Sequence, residues 1–219
     1  MFIANLCRLC GRELVVGERC ICLHCSTAAP LWSGSNDDLR AHRFPRNAPI
    51  DGVWPWLAYS NADPMCSLIR RGKFDDRPEL IEELGHRYGR WLTDSGHLAG
   101  ITAIVPVPMH WWKRLLRGYN QAVLIADAIS DETGIEVVEA LKAVRGHAQQ
   151  SRKKGLARAA NVAGIFALRR NHGLEPGERV AVVDDILTTG STLSEAIETL
   201  KGADPSGITV LALAATSLN

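Results

Sequence analysis

An α/β fold built on a parallel, doubly wound sheet, with a small N-terminal zinc-binding domain, follows from three features of this 219-residue chain. Short apolar runs rich in branched residues alternate with segments of helical spacing, the pattern of strands joined by crossover helices. One run, Val180 to Val183, ends on two carboxylates and a hydroxyl-rich turn before a helical pattern begins. Five of the six cysteines fall between Cys7 and Cys25, ahead of the first strand-like run.

Residues 1–48 read as a zinc finger or ribbon followed by a linker, and residues 49–219 as the α/β domain. Cys7-x2-Cys10 and Cys22-x2-Cys25 bring four thiolates together at the spacing of a structural zinc site. Cys20 and His24 are the alternative ligands, and Cys66 stands alone as a small core residue. Ser26 to Pro49, with a Ser/Gly/Asn/Asp cluster and Pro30, Pro45 and Pro49, reads as a loose connection. A strand is expected over Trp54–Tyr59, a helix over Pro78–Leu92 and a second strand over Ile101–Val107. A helix over Gly118–Asp131 follows, opened by Arg117-Gly118. A short strand near Glu136–Val138, the strand at Val180 and a last core strand at Ile208–Ala215 complete the sheet.

The richest stretch is Val180-Ala181-Val182-Val183-Asp184-Asp185-Ile186-Leu187-Thr188-Thr189-Gly190-Ser191-Thr192. A buried strand, an acidic pair, a small-residue loop and a helix start form a phosphate cradle in which backbone N–H groups face an anion. It is neither a nucleotide P-loop, which needs a Lys after its second Gly, nor a dinucleotide fold, which needs three glycines. Carboxylates just before a monophosphate cradle suit a sugar phosphate.

This run resembles the signature for PRPP (5-phosphoribosyl 1-diphosphate) of type I phosphoribosyltransferases. Further segments narrow the resemblance: Ile104-Val105-Pro106-Val107-Pro108, then Arg117-Gly118-Tyr119-Asn120-Gln121-Ala122, Leu68-Ile69 with Lys73-Phe74, Arg145 to Asn161, and the Cys-x2-Cys pairs. Together they resemble the ComF family, the competence-associated phosphoribosyltransferase-like proteins that include GntX. The resemblance implies a type I phosphoribosyltransferase fold behind a zinc finger. It implies that Asp184 and Asp185 engage the ribose hydroxyls of PRPP and, through water, Mg²⁺. Thr188, Thr189, Gly190, Ser191 and Thr192 would hold the 5-phosphate. Arg117, with Arg152, Lys153 and Arg158 on a flexible loop, would face the pyrophosphate. A link to natural transformation and the use of external DNA is implied as well, with the DNA-translocation proteins of competence as possible partners. The aromatic insertion His110-Trp111-Trp112 departs from the family pattern.

The net charge is only +1, yet no acidic residue occurs from Ser95 to Ala126 or from Ala140 to Leu174. Two such stretches fit a surface for a polyanion, the bland alternative being solvated faces. Trp111 and Trp112 beside Lys113 and Arg114 offer stacking plus charge for single-stranded DNA, or else a buried pair. The expected functions are therefore a PRPP-binding protein that contacts single-stranded DNA, or an active transferase moving ribose 5-phosphate to an unidentified acceptor. Composition at 46% hydrophobic permits a full core. Met1–Leu6 is too short for a signal-peptide core and no run is long enough to span a bilayer, so a cytoplasmic location is expected.

Overall fold

The computed structural model describes residues 5–109, 115–144 and 164–218. Five parallel strands make the main sheet: β1 (Ile50–Ala58), β2 (Ala103–Pro106), β3 (Glu136–Val137), β6 (Arg179–Leu187) and β7 (Gly207–Ala215). Their spatial order is β1-β7-β6-β2-β3. A separate antiparallel pair, β4 (Leu141–Ala143) and β5 (Phe166–Leu168), aligns Leu141 with Leu168 and Ala143 with Phe166.

From β2 the chain steps outward to β3, then returns past β2 to β6 and β7 on the other side. The order therefore reverses between β2 and β6, and an open α/β sheet leaves a crevice at the carboxyl ends of the strands flanking such a reversal. The register Ala103↔Val180 through Pro106↔Val183 brings the ends of both strands level, so Val107–Met109 and Asp184–Thr188 border one crevice.

One face of the sheet carries α3 (Pro64–Phe74), α4 (Pro78–Asp94) and α5 (Gln121–Thr133) over Ile104, Ala181, Val183 and Leu211. The other carries α2 (Asn36–Arg43), α6 (Ser191–Leu200) and the β4–β5 pair over Val105, Val180, Val182 and Val210. β7 is buried along its whole length, as a continuous apolar run between two covered faces requires. Packing of α4 on α5 is close: a Cβ at Gly85 would lie 2.7 Å from Ala128 Cβ.

β1 is an edge strand, the permitted place for its Pro55. Beside it the fully buried Tyr88 hydroxyl accepts from Ala212 N–H at 3.1 Å and donates to the Trp54 carbonyl. Two backbone groups at the proline's register are satisfied by one phenol, which answers the cost of leaving them unpaired in the core.

After the one-turn helix α1 (Leu23–Thr27), the segment between the cysteines and β1, expected to be loose, contains α2. Ser35 caps it by accepting from Asp38 N–H at 3.1 Å, Asp37 and Asp38 sit in its first turn, and Arg40, His42 and Arg43 in its last. Those charges suit the helix dipole, so the cluster that resembled a linker is a cap. Leu31 also bridges Leu57 of β1. The first strand begins at Ile50 rather than Trp54, and a helix unmarked in the sequence reading, α3, starts at Pro64, with Asp63 Oδ1 accepting from Met65 and Cys66 N–H. Arg117 does not open α5: Gly118 takes φ +79° and Asn120 caps a helix that starts at Gln121.

Candidate functional site

The acidic pair stands near the carboxyl end of β6, where the strand pleat sends adjacent side chains to opposite faces. Asp185, 7% exposed, turns toward α3, where Lys73 Nζ lies 2.5 Å from its Oδ2. Asp184 lines a pocket of about 30 Å³ with Thr188 to Thr192, and its Oδ1 accepts from Asp185 N–H at 2.9 Å. Burial, then the neighbouring Asp185 charge, pushes the Asp184 carboxyl up to about 7. Asp184 thus holds its proton readily near neutrality, and the Lys73 charge offsets the effect only in part.

Gly190 is the N-cap of α6 at φ +78° and provides no side-chain cap. The first turn of this ten-residue helix consequently has no side chain accepting at its N-cap, while Thr189 Oγ1 and Ser191 Oγ lie 2.6 Å apart beside it. Amides without a cap, hydroxyls and the dipole together favour a dianionic group. Gly190 is also fixed sterically, since a Cβ would lie 2.4 Å from the Arg43 carbonyl oxygen. Arg43 in turn donates to Thr216 and Ser217 after β7, so the end of α2 braces the loop.

A cleft of about 300 Å³ opens in front of these groups, with Asp184, Asp185 and Thr188 on one side and Val107, Met109 and Arg117 on the other. Asn120 ties its floor together, Nδ2 donating to Val107 O at 3.0 Å and Oδ1 accepting from Ala122 N–H at 3.2 Å. The Arg117 guanidinium lies over the Phe74 ring, 5.2 Å from its centroid. Gln121 lines the cleft, is 2% exposed, and its Nε2 has no partner among the described residues. Lys73, Gln121 and Arg43 are therefore site residues the sequence reading gave no role. Lys73 closes a helix that also carries Arg70 and Arg71, so nothing local sets it apart from its neighbours.

Asp184, Asp185, Thr188 and Thr192 share this cleft with Arg117. Arg152, Lys153 and Arg158 lie outside the described residues, as do Trp111, Trp112, Lys113 and Arg114. The β4–β5 pair brings both ends of the stretch that holds the first three to the cleft, through Ala143 and Phe166.

At the other end of the chain, the Sγ atoms of Cys7, Cys10, Cys22 and Cys25 all lie within 4.8 Å of one another, with Cys10 and Cys22 at 3.7 Å. Tetrahedral Zn–S bonds place sulfurs about 3.8 Å apart, so the set fits a four-thiolate metal site. Cys7 accepts from Cys22 N–H and Cys22 from Cys25 N–H, both at 3.4 Å. The Cys25 amide, with the Arg12 guanidinium, draws the Cys22 thiol down to about 6, while burial and its neighbours push Cys25 up to about 12. Four thiolates this close need a cation. Cys20 points elsewhere, its Sγ 3.8 Å from the Glu79 carbonyl. The cluster is anchored to α4: Arg87 donates to Glu83 Oε1, Ser26 Oγ and Ile21 O.

The reversal of strand order, the acidic pair and the amide cradle define a protein of the type I phosphoribosyltransferase fold. Residues 119–217 match the phosphoribosyl transferase domain family. Competence protein F of Haemophilus influenzae is 31% identical over 156 residues, covering 69% of this chain and 68% of its own. DNA utilization protein YhgH of Escherichia coli O157:H7 is 26% identical over 210 residues, 90% of this chain and 91% of its own. A solved adenine phosphoribosyltransferase from Leishmania tarentolae is 11% identical, covering 78% of this chain and 94% of its own with a TM-score of 0.42. The chain belongs to the ComF family of phosphoribosyltransferase-like proteins. No helix among the described residues is long and apolar enough to cross a membrane.

Proposed function

We propose that this protein binds PRPP with Mg²⁺ in the cleft at the β2–β6 reversal and acts in the uptake or use of external DNA, contacting single-stranded DNA. The observation that carries the PRPP reading is the pairing of two carboxylates on β6 with the helix start of α6, which lacks a side-chain cap. The 5-phosphate would sit on the amides and hydroxyls of Thr188 to Thr192, and the ribose hydroxyls would donate to Asp184 and Asp185. Arg117 and the basic residues Arg152, Lys153 and Arg158 would meet the pyrophosphate. Mg²⁺ would offset the phosphate charge when bound, with Asp184 and Asp185 reaching it through water. The DNA role is supported by the names of the relatives and by the acid-free stretches, with Trp111, Trp112, Lys113 and Arg114 as the proposed contacts.

An active transferase is the second reading, favoured by the same carboxylates. Departure of pyrophosphate from C1 leaves positive charge on the sugar, so Asp184 and Asp185 would hold the ribose in place while the cations receive the leaving group. Zinc is proposed for the four thiolates, as a structural ion that orders the segment from Cys7 to Cys25 beside α4. Fluorescence anisotropy with a labelled single strand across a salt series, with and without PRPP, tests the DNA role. Binding that weakens with salt and with Trp111→Ala/Trp112→Ala supports it, and no binding at low salt removes it.

A further inference from the structure

The cysteine-rich segment carries exposed apolar side chains that its own fold does not require. Val16 is fully exposed, Val15 and Leu23 are 59% and 67% exposed, and Leu6 is exposed as well. Val15 to Glu18 form a tight turn, with Glu18 N–H donating to the Val15 carbonyl at 3.0 Å and Gly17 at φ +92°. Such a turn needs glycine at its third position and asks nothing apolar of its second, where proline or a small polar residue is usual. Two adjacent β-branched residues at the crest break that local rule, and a broken local rule in a folded protein points to a site.

The tip is held in shape by one carboxylate. Glu18 accepts from Leu23 N–H at 2.6 Å through Oε1 and from Val15 N–H at 3.0 Å through Oε2, and Arg12 Nη2 donates to both oxygens. Val15 is thereby fixed beside Leu23. Leu6 pairs antiparallel with Glu13, and the pleat puts Leu6 on the same face as Glu13 and Val15. Arginines flank this tip. Arg8 and Arg19 are exposed, and Arg71 of α3 reaches the Arg8 carbonyl, its Nη1 donating at 3.1 Å. Of the two acids between Cys7 and Cys25, Glu18 is taken up by Arg12 and the amides, which leaves Glu13 against three guanidinium groups.

We propose that this tip docks on an anionic lipid surface, with Val15, Val16, Leu23 and Leu6 entering the boundary between headgroups and acyl chains and Arg8, Arg19 and Arg71 meeting lipid phosphates. Area and charge select that occupant. The four side chains offer about 400 Å² of apolar surface, short of the roughly 800 Å² that each partner gives to a standard protein interface. A second copy or a folded partner would therefore gain too little from them. A lipid surface needs no matching pocket, since it closes around a convex crest. The excess of arginine matches acidic headgroups, which a neutral surface does not supply. The docking is peripheral, because only a turn and its neighbours enter, and it does not depend on the PRPP reading of the cleft.

The test is co-sedimentation of the full-length protein with vesicles of phosphatidylglycerol and phosphatidylethanolamine across a salt series, with phosphatidylcholine vesicles as the neutral control. The wild type binds the anionic vesicles, more weakly as salt rises, and binds the neutral ones about tenfold less or not at all. Val16→Asp weakens binding about fivefold or more, and Arg8→Gln/Arg19→Gln weakens it and flattens the salt dependence. Val16→Trp strengthens it, because indole favours the interface, and a folding defect cannot produce that gain. Matching melting temperatures and metal contents verify that the variants are folded. No sedimentation with anionic vesicles at low salt overturns the proposal. Binding that Val16→Asp and Val16→Trp both leave unchanged overturns it as well, by moving the lipid contact to basic residues elsewhere. A wild-type dimer that Val16→Asp dissociates would give the tip to a second copy and overturn it too.

Discussion

Lys73 and Asp185, 112 positions apart in sequence, form an ion pair at 2.5 Å that joins α3 to the signature strand, with side chains 21% and 10% exposed. The pair sets a cation beside two carboxylates that would otherwise repel each other across one strand. It also makes α3 a wall of the cleft rather than an outlying helix.

Removing that cation has a defined cost. Lys73→Met leaves the Asp185 carboxylate buried without its partner, which costs about 1–3 kcal/mol in urea unfolding. Lys73→Met/Asp185→Asn recovers most of the loss, because no unpaired charge remains. A double variant as unstable as the single one would place the cost in lost packing of the lysine stem instead.

Asp184 makes stability depend on pH in an unusual direction. Burial pushes its carboxyl up to about 7 in the folded state, against about 3.9 in the unfolded chain. Between those values the native state binds more protons than the unfolded state, so this group's contribution falls as pH rises through the window. Asp184→Asn removes the dependence. The variant melts higher than wild type at pH 8, and the two converge toward pH 4, read by thermal denaturation in matched buffers. The same substitution removes a ribose contact, so the apo protein gains stability as it loses ligand response.

Gly190→Ala tests the cradle. The new methyl meets the Arg43 carbonyl and forces a left-handed φ on an L-residue. The expected loss is more than about 1 kcal/mol, with the PRPP thermal shift weakened in the same variant. Full stability in Gly190→Ala would mean that α2 and the loop separate freely.

Zinc removal separates the two ends of the chain. Metal analysis is expected to return one zinc per chain, lost in Cys7→Ser. Arg87→Met, which leaves the four thiolates in place, should keep the metal but lower the melting temperature, since it unties Ile21 and Ser26 from α4. Zinc retained after Cys22→Ser would bring in Cys20 or His24, neither of which is in the cluster of four sulfurs.

Much of this site was legible in the sequence because it is local. Asp184 to Thr192 are contiguous, so strand, acids, loop and helix follow one another in the order in which they act. The two Cys-x2-Cys pairs are local in the same sense. Lys73 and Arg43 were not legible, because their roles depend on which helix ends beside β6, a property of the sheet order. The misread segment before β1 has a different cause. Ser35 and its acidic neighbours serve equally well as loop residues and as a helix start, and only the packing of Leu39 decides between them.

Asp184, Asp185 and the start of α6 are proposed together as a PRPP site. Its most direct measurement is the melting temperature of the full-length protein with PRPP and Mg²⁺, for wild type and for Asp184→Asn/Asp185→Asn, since a ligand of the native state alone stabilises it by mass action. An upward shift that rises with ligand concentration is expected in the wild type, and none in a double variant that is folded without ligand. A shift of equal size in both proteins would contradict it.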